Sequence, residues 1–131
     1  MTRRFFGAVL AVVVAVVACG GRPAVDDWQS KWREAAGVVP LDTLVSDPPG
    51  RQECDRILGE VRELSPDLRP APNDVIGDAA LAWSEFAEAA FFECPIIRGE
   101  HAGWEATALE LARLESEIDA LVAFELGRSG D

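Results

Sequence analysis

The chain has 131 residues, of which 49% are apolar and 27% charged, and this length corresponds to one small domain rather than a multidomain assembly. Its 23 acidic residues exceed its 12 basic residues, so the formal net charge at pH 7 is -11. A surface this acidic repels phosphates, which excludes a protein that binds nucleic acid through charge.

Residues 1–18 have the pattern of a secretory signal peptide. Arg3 and Arg4 precede an uncharged stretch, Phe5 to Ala18, that is rich in Val and Ala. As a helix this stretch would rise about 21 Å, which is less than the roughly 30 Å hydrocarbon core of a bilayer. We therefore predict a cleaved signal rather than a permanent transmembrane helix. Its removal takes both arginines away and leaves the mature chain with a net charge of -13.

The signal ends in Val16-Val17-Ala18-Cys19-Gly20-Gly21, which resembles the lipobox of bacterial lipoproteins. In that family the cysteine thiol takes a diacylglyceryl group, and a signal peptidase cuts after the small residue before it. The resemblance implies that Cys19 is lipidated and anchors an exported protein to the outer face of the cytoplasmic membrane, in the cell envelope. Val16 stands where the family usually has leucine, and an ordinary secretory signal is the alternative. The resemblance covers residues 1–21 and implies nothing about the fold.

The signal is compatible with two export routes. Thr2 to Phe6 also resembles part of a twin-arginine signal, although the leucine usual after the phenylalanine is missing, and general secretion is the alternative. A twin-arginine substrate crosses the membrane folded, whereas a general-secretion substrate folds outside.

Eleven arginines against one lysine, with many Ala and Val, indicate a GC-rich bacterial genome.

After the signal we predict a lipidated tether over 19–25 and a single helical domain over 26–131. Asp26 and Asp27 are candidate caps for a short first helix with Trp28 and Trp32 on one face, and Gly37 is the candidate stop. Residues 38–50 contain three prolines and no sustained period, which predicts an ordered loop with some apolar anchors.

Three further segments have the apolar spacing of amphipathic helices, and no segment alternates as a strand does. The second helix is predicted over 51–64, and Ser65-Pro66 breaks it. Asn73 or Asp74 caps the third, which ends near Pro95, and the fourth runs from about Glu100 to Leu126. The economical architecture is an all-α four-helix bundle with one short and three longer helices. The expected apolar positions of the third helix are Val75, Ile76, Ala79, Ala80, Trp83, Phe86, Ala87, Ala90, Phe91 and Cys94.

Two cysteines remain if Cys19 is acylated. An oxidising compartment favours pairing of Cys54 with Cys94, which would lie in the first turn of the second helix and the last turn of the third. These ends are adjacent in an antiparallel pair. A metal or redox pair is the alternative, but the chain has no CxxC spacing and His101 is its only histidine.

The sequence contains no recognisable catalytic or phosphate-binding motif, and we predict a protein that is not an enzyme and has no cofactor or metal. His101, beside Glu100, is the one candidate general base, and its position between two glycines is more typical of a solvated loop or cap. An enzyme that uses His101 with a neighbouring glutamate is therefore the weakest of three hypotheses.

The large rings are the remaining functional feature. Most are expected to form the core, but Trp28 and Trp32 lie closest to the tether and Phe92 breaks the stripe of the third helix, so these three form the candidate interaction surface. The first hypothesis is a lipid-anchored, non-enzymatic domain that binds an envelope protein. The second is a carrier of a small apolar ligand or lipid in an aromatic-lined cavity.

Overall fold

The computed structural model describes residues 21–94 and 102–129, and all regular structure in these ranges is helical. The elements are α1 (Val25–Val38), α2 (Arg51–Leu64), the 3-10 helix η1 (Ser65–Leu68), α3 (Asp74–Glu93) and α4 (Ala102–Ser129). The predicted all-α bundle of four helices is confirmed, but the first helix is not shorter than the second, since α1 and α2 each have 14 residues. The predicted signal peptide, Cys19 and His101 lie outside the described residues.

The helix ends follow local chemistry, with two corrections. Asn73 caps α3 as predicted, because its side-chain Oδ1 accepts a 2.8 Å hydrogen bond from the backbone N–H of Ile76. Asp26 and Asp27 do not cap α1, because the helix begins one residue earlier, at Val25. Both carboxylates lie in its first turn, where the positive end of the helix dipole stabilises negative charge. Gly37 lies inside α1, which ends at Val38.

The helices run alternately up and down. Each packs against the next in the chain, and α4 closes the bundle by packing against α1. The disulfide joins the start of α2 to the end of α3, and Phe91 packs on Trp104 at the start of α4. We call this the disulfide end. The opposite end holds Gly21–Val25, η1, the start of α3 and the last turns of α4, and we call it the tether end.

The core contains almost every apolar position that the helical periods predicted. Val75 is an exception, since it lies in the first turn of α3 at 60% exposure. The connection is an ordered loop of turns, as predicted, although it begins at residue 39 because Val38 belongs to α1; its Leu44 is a fully buried apolar anchor. The fully buried large side chains are Trp28, Trp32, Trp83, Trp104, Phe91, Leu44, Ile57, Ile76, Leu111, Ile118, Val61 and Val122.

The described helices lack the features of membrane-spanning helices. None of them, over 21–94 and 102–129, combines the length and the continuous apolarity that crossing a bilayer requires.

Candidate functional site

The two tryptophans of α1 are core residues. Trp28 is 0% and Trp32 2% exposed, so their assignment to an exposed interaction surface is wrong. Each indole N–H is satisfied inside the bundle: Trp28 donates to the Leu68 carbonyl at 3.1 Å, and Trp32 to Asp119 Oδ1 at 2.8 Å. The physical reason is that α1 has one apolar stripe, and a domain this small must bury its largest rings to build a core.

Phe92, the third residue of that predicted surface, is exposed. Its ring is 59% accessible, whereas the neighbouring Phe91 is fully buried against Trp104. The backbone at this position is held at the disulfide end, because Arg51 Nη1 donates a 3.0 Å hydrogen bond to the Phe92 carbonyl. A large apolar ring is therefore held in solvent by an ordered backbone.

The disulfide itself is formed as predicted. Cys54 and Cys94 lie 5.9 Å apart at their Cα atoms, within the usual range for a disulfide, and both are buried. Cys94 directly follows α3 and caps it, with a left-handed φ of 48°. The bond therefore joins two helix termini and covers the buried Pro49 of the preceding loop.

An apolar groove lies between the loop and the first half of α4, toward the disulfide end. Its volume is about 350 Å³, and Leu109, 69% exposed, is its most accessible apolar side chain. The apolar periods of the sequence did not predict this groove. Leu109 lies outside the apolar stripe of α4 that contains Trp104, Ala108 and Leu111. A leucine outside the stripe was the sequence signal for an exposed apolar position. The lining residues are Leu41, Val45, Glu105, Ala108, Leu109 and Ala112.

A second groove, of about 400 Å³, lies between α1 and α4 and contains carboxylates. Asp119 accepts from Trp32, while Glu115 Oε2 is buried without a hydrogen-bond partner among the described residues. Burial, followed by the negative charges of Asp119 and Asp42, raises the pKa of Glu115 to about 7. Within the described ranges no three potential ligands converge as a metal site requires. The Glu115 carboxyl therefore keeps its proton to a higher pH than an ordinary glutamate does.

Replacing Glu115 by glutamine should stabilise the domain at alkaline pH. Between about pH 4.5 and 7 the folded chain binds more protons at Glu115 than the unfolded chain, so the free energy of unfolding falls as pH rises through this window. Because the carboxyl is only half-buried, solvent screening limits the gain of Glu115→Gln to about 1 kcal/mol at about pH 8. Urea unfolding at about pH 5 and pH 8 measures it, and equal gains at both would contradict the prediction. Glu117→Gln, on the exposed side of α4, is the matched control.

A third groove follows η1 and runs along α3 as far as Glu88. Two adjoining cavities of about 190 and 480 Å³ share Arg69, Gly77 and Leu81. Gly77 allows the close approach of the connection from η1, because a Cβ there would lie 3.3 Å from the Ala71 Cβ. The second cavity also contains Arg22, whose Nη2 is 2.7 Å from Asp74 Oδ1. The second cavity lies at the tether end.

Comparison with known proteins identifies no relative: no protein-family model, curated protein or solved structure matches the chain.

Proposed function

We propose that the chain is an exported lipoprotein, lipidated on Cys19 and held on the outer face of the cytoplasmic membrane, whose helical domain binds a protein partner without catalysing a reaction. The observation that carries the binding function is the apolar groove around Leu109. Contiguous apolar surface that a small domain leaves exposed commonly marks an interaction site. The four tryptophans are buried and fill the interior, so the exposed apolar groove is the better candidate binding feature.

The groove's surroundings suggest the chemistry of the partner. Glu105 lines it, and Asp42 and Asp47 are exposed on the loop that forms its other wall. An apolar side chain framed by arginine or lysine would complement this arrangement, because charge complementarity guides association while the buried apolar contact supplies affinity.

Two features support the cell-envelope address. The lipobox resemblance implies acylation at Cys19, and the Cys54–Cys94 disulfide is typical of proteins outside the reducing cytosol. The carrier hypothesis has less support, because the groove that contains Trp32 is lined also by Glu115 and Asp119, an unfavourable surface for an apolar ligand.

The address is tested by intact mass spectrometry of the chain extracted from its own membrane in mild detergent, before and after reduction. We expect cleavage before Cys19, a diacylglyceryl increment and a gain of two hydrogens on reduction of the disulfide. Cys19→Ser is the control and should lack the lipid. An unlipidated native chain would show that the protein is freely secreted.

The binding function is tested by photo-crosslinking in intact cells. A photoreactive phenylalanine analogue in place of Leu109 should crosslink to a discrete partner, and Val45→Asp in the same chain should reduce that product several-fold by placing a charge in the groove. The same analogue at Leu81, which is exposed on α3 outside the groove, is the matched control. Identical products at both positions, or no product at Leu109, would contradict the proposal.

A further inference from the structure

The position of Gly21 determines which end of the bundle lies nearest the predicted anchor. Gly21 lies two residues after Cys19, and two extended residues span about 7 Å. The next residue, Arg22, is tied to the start of α3 by its 2.7 Å contact with Asp74. A lipid on Cys19 would therefore hold Gly21, and with it the tether end, within about 7 Å of the lipidated residue.

Two exposed apolar side chains lie at this same end. Val75 follows Asp74 in the first turn of α3, and Phe124, 65% exposed, lies near the end of α4. The hydrogen bond from Trp32 to Asp119 marks matching positions along α1 and α4, and the position of Phe124 along the bundle can be measured from it. Because α1 and α4 are antiparallel, Val25 lies about 10 Å and Phe124 about 8 Å beyond that bond in the same direction.

Arginines accompany them. Arg22 and Arg69 line the groove at the tether end together with Asp78 and with Asp74, which is ion-paired to Arg22, so the lining combines two arginines with two carboxylates. Arginine can donate hydrogen bonds to lipid phosphates while its aliphatic stem covers apolar surface. The net charge of -13 for the mature chain makes adhesion by charge alone unfavourable, so the contact depends on the tether.

We propose that the tether end is a lipid-contacting surface, with Val75 and Phe124 in the headgroup layer and Arg22 and Arg69 beside lipid phosphates. This inference rests on the proposed lipidation of Cys19. The 20 residues of α3 rise about 30 Å, so contact of the tether end with lipid would leave the disulfide end away from the bilayer. The groove around Leu109 would then be open to a partner in the envelope.

The test uses four variants of the full lipidated chain, each with one added cysteine. Val75→Cys and Phe92→Cys are on α3, with side chains of 60% and 59% exposure at opposite ends of the helix. Phe124→Cys and Leu109→Cys form the corresponding pair on α4, at 65% and 69%. With Cys19 acylated and Cys54 paired to Cys94, each new cysteine is the free thiol, and its exposure makes correct folding the expectation.

Each variant is spin-labelled and placed in vesicles of phosphatidylethanolamine and phosphatidylglycerol that contain a nickel-chelating lipid. We expect nickel to enhance spin relaxation several-fold more at positions 75 and 124 than at 92 and 109. Equal enhancement within each pair, or the reverse order, in chains that float with the vesicles would overturn the inference and leave the lipid anchor standing. Native chains that lack the lipid and do not float would overturn both.

Discussion

Replacing Cys54 and Cys94 together by alanine is expected to lower the free energy of unfolding by about 4 kcal/mol in the chain-entropy model. The two residues are 40 positions apart, so the bond restricts a long loop in the unfolded chain. Such a loss is a sizeable fraction of the roughly 5–15 kcal/mol that stabilises a typical small domain. Urea unfolding followed by far-ultraviolet circular dichroism measures it.

The same urea unfolding curve shows whether the disulfide stabilises the domain by restricting the unfolded chain or only through local contacts in the folded chain. Without the bond the unfolded chain expands and exposes more surface, so the slope of the unfolding free energy against urea should rise. Wild-type chain unfolded under reducing conditions is the control and should behave like the double variant. A loss below about 1 kcal/mol would show that the disulfide contributes little to stability.

Replacing Trp28 by alanine is expected to lower the free energy of unfolding by about 3–5 kcal/mol. The indole is fully buried, it stacks on Trp32 with ring centroids 6.3 Å apart, and it donates a hydrogen bond to Leu68. Its removal leaves a cavity between α1 and η1 and a buried carbonyl without its donor. Chemical unfolding of the variant measures the loss.

Phe92→Ala is the matched control, because it removes a large ring that is mostly in solvent. Its effect on stability should stay within about 0.5 kcal/mol. If Trp28→Ala were equally mild, Trp28 would not be a core residue and its assignment to an interaction surface would have to be reconsidered.

The sequence predicted the helices well because each carries a strong apolar period between clear breakers. Asn73 before α3 and Pro66 after α2 are local signals whose effect depends on backbone chemistry within a few residues. The partner of Cys54 was also predictable, since only Cys94 remained once Cys19 was assigned to the lipid. The helix ends depend on chemistry within a few residues, and the disulfide partner followed from the number of cysteines left to pair.

Other features depended on which surfaces meet. The spacing of Trp28 and Trp32 showed that they share a face, but the packing of α4 and η1 over that face decided that it is buried. Leu109 is exposed because it lies on the side of α4 away from the core, and the 38–50 loop made its surroundings a groove. Glu115 and Asp42 are 73 positions apart, and only the fold brings their charges close enough to affect one pKa. Periodicity determines the faces of a helix, whereas long-range packing determines what covers each face.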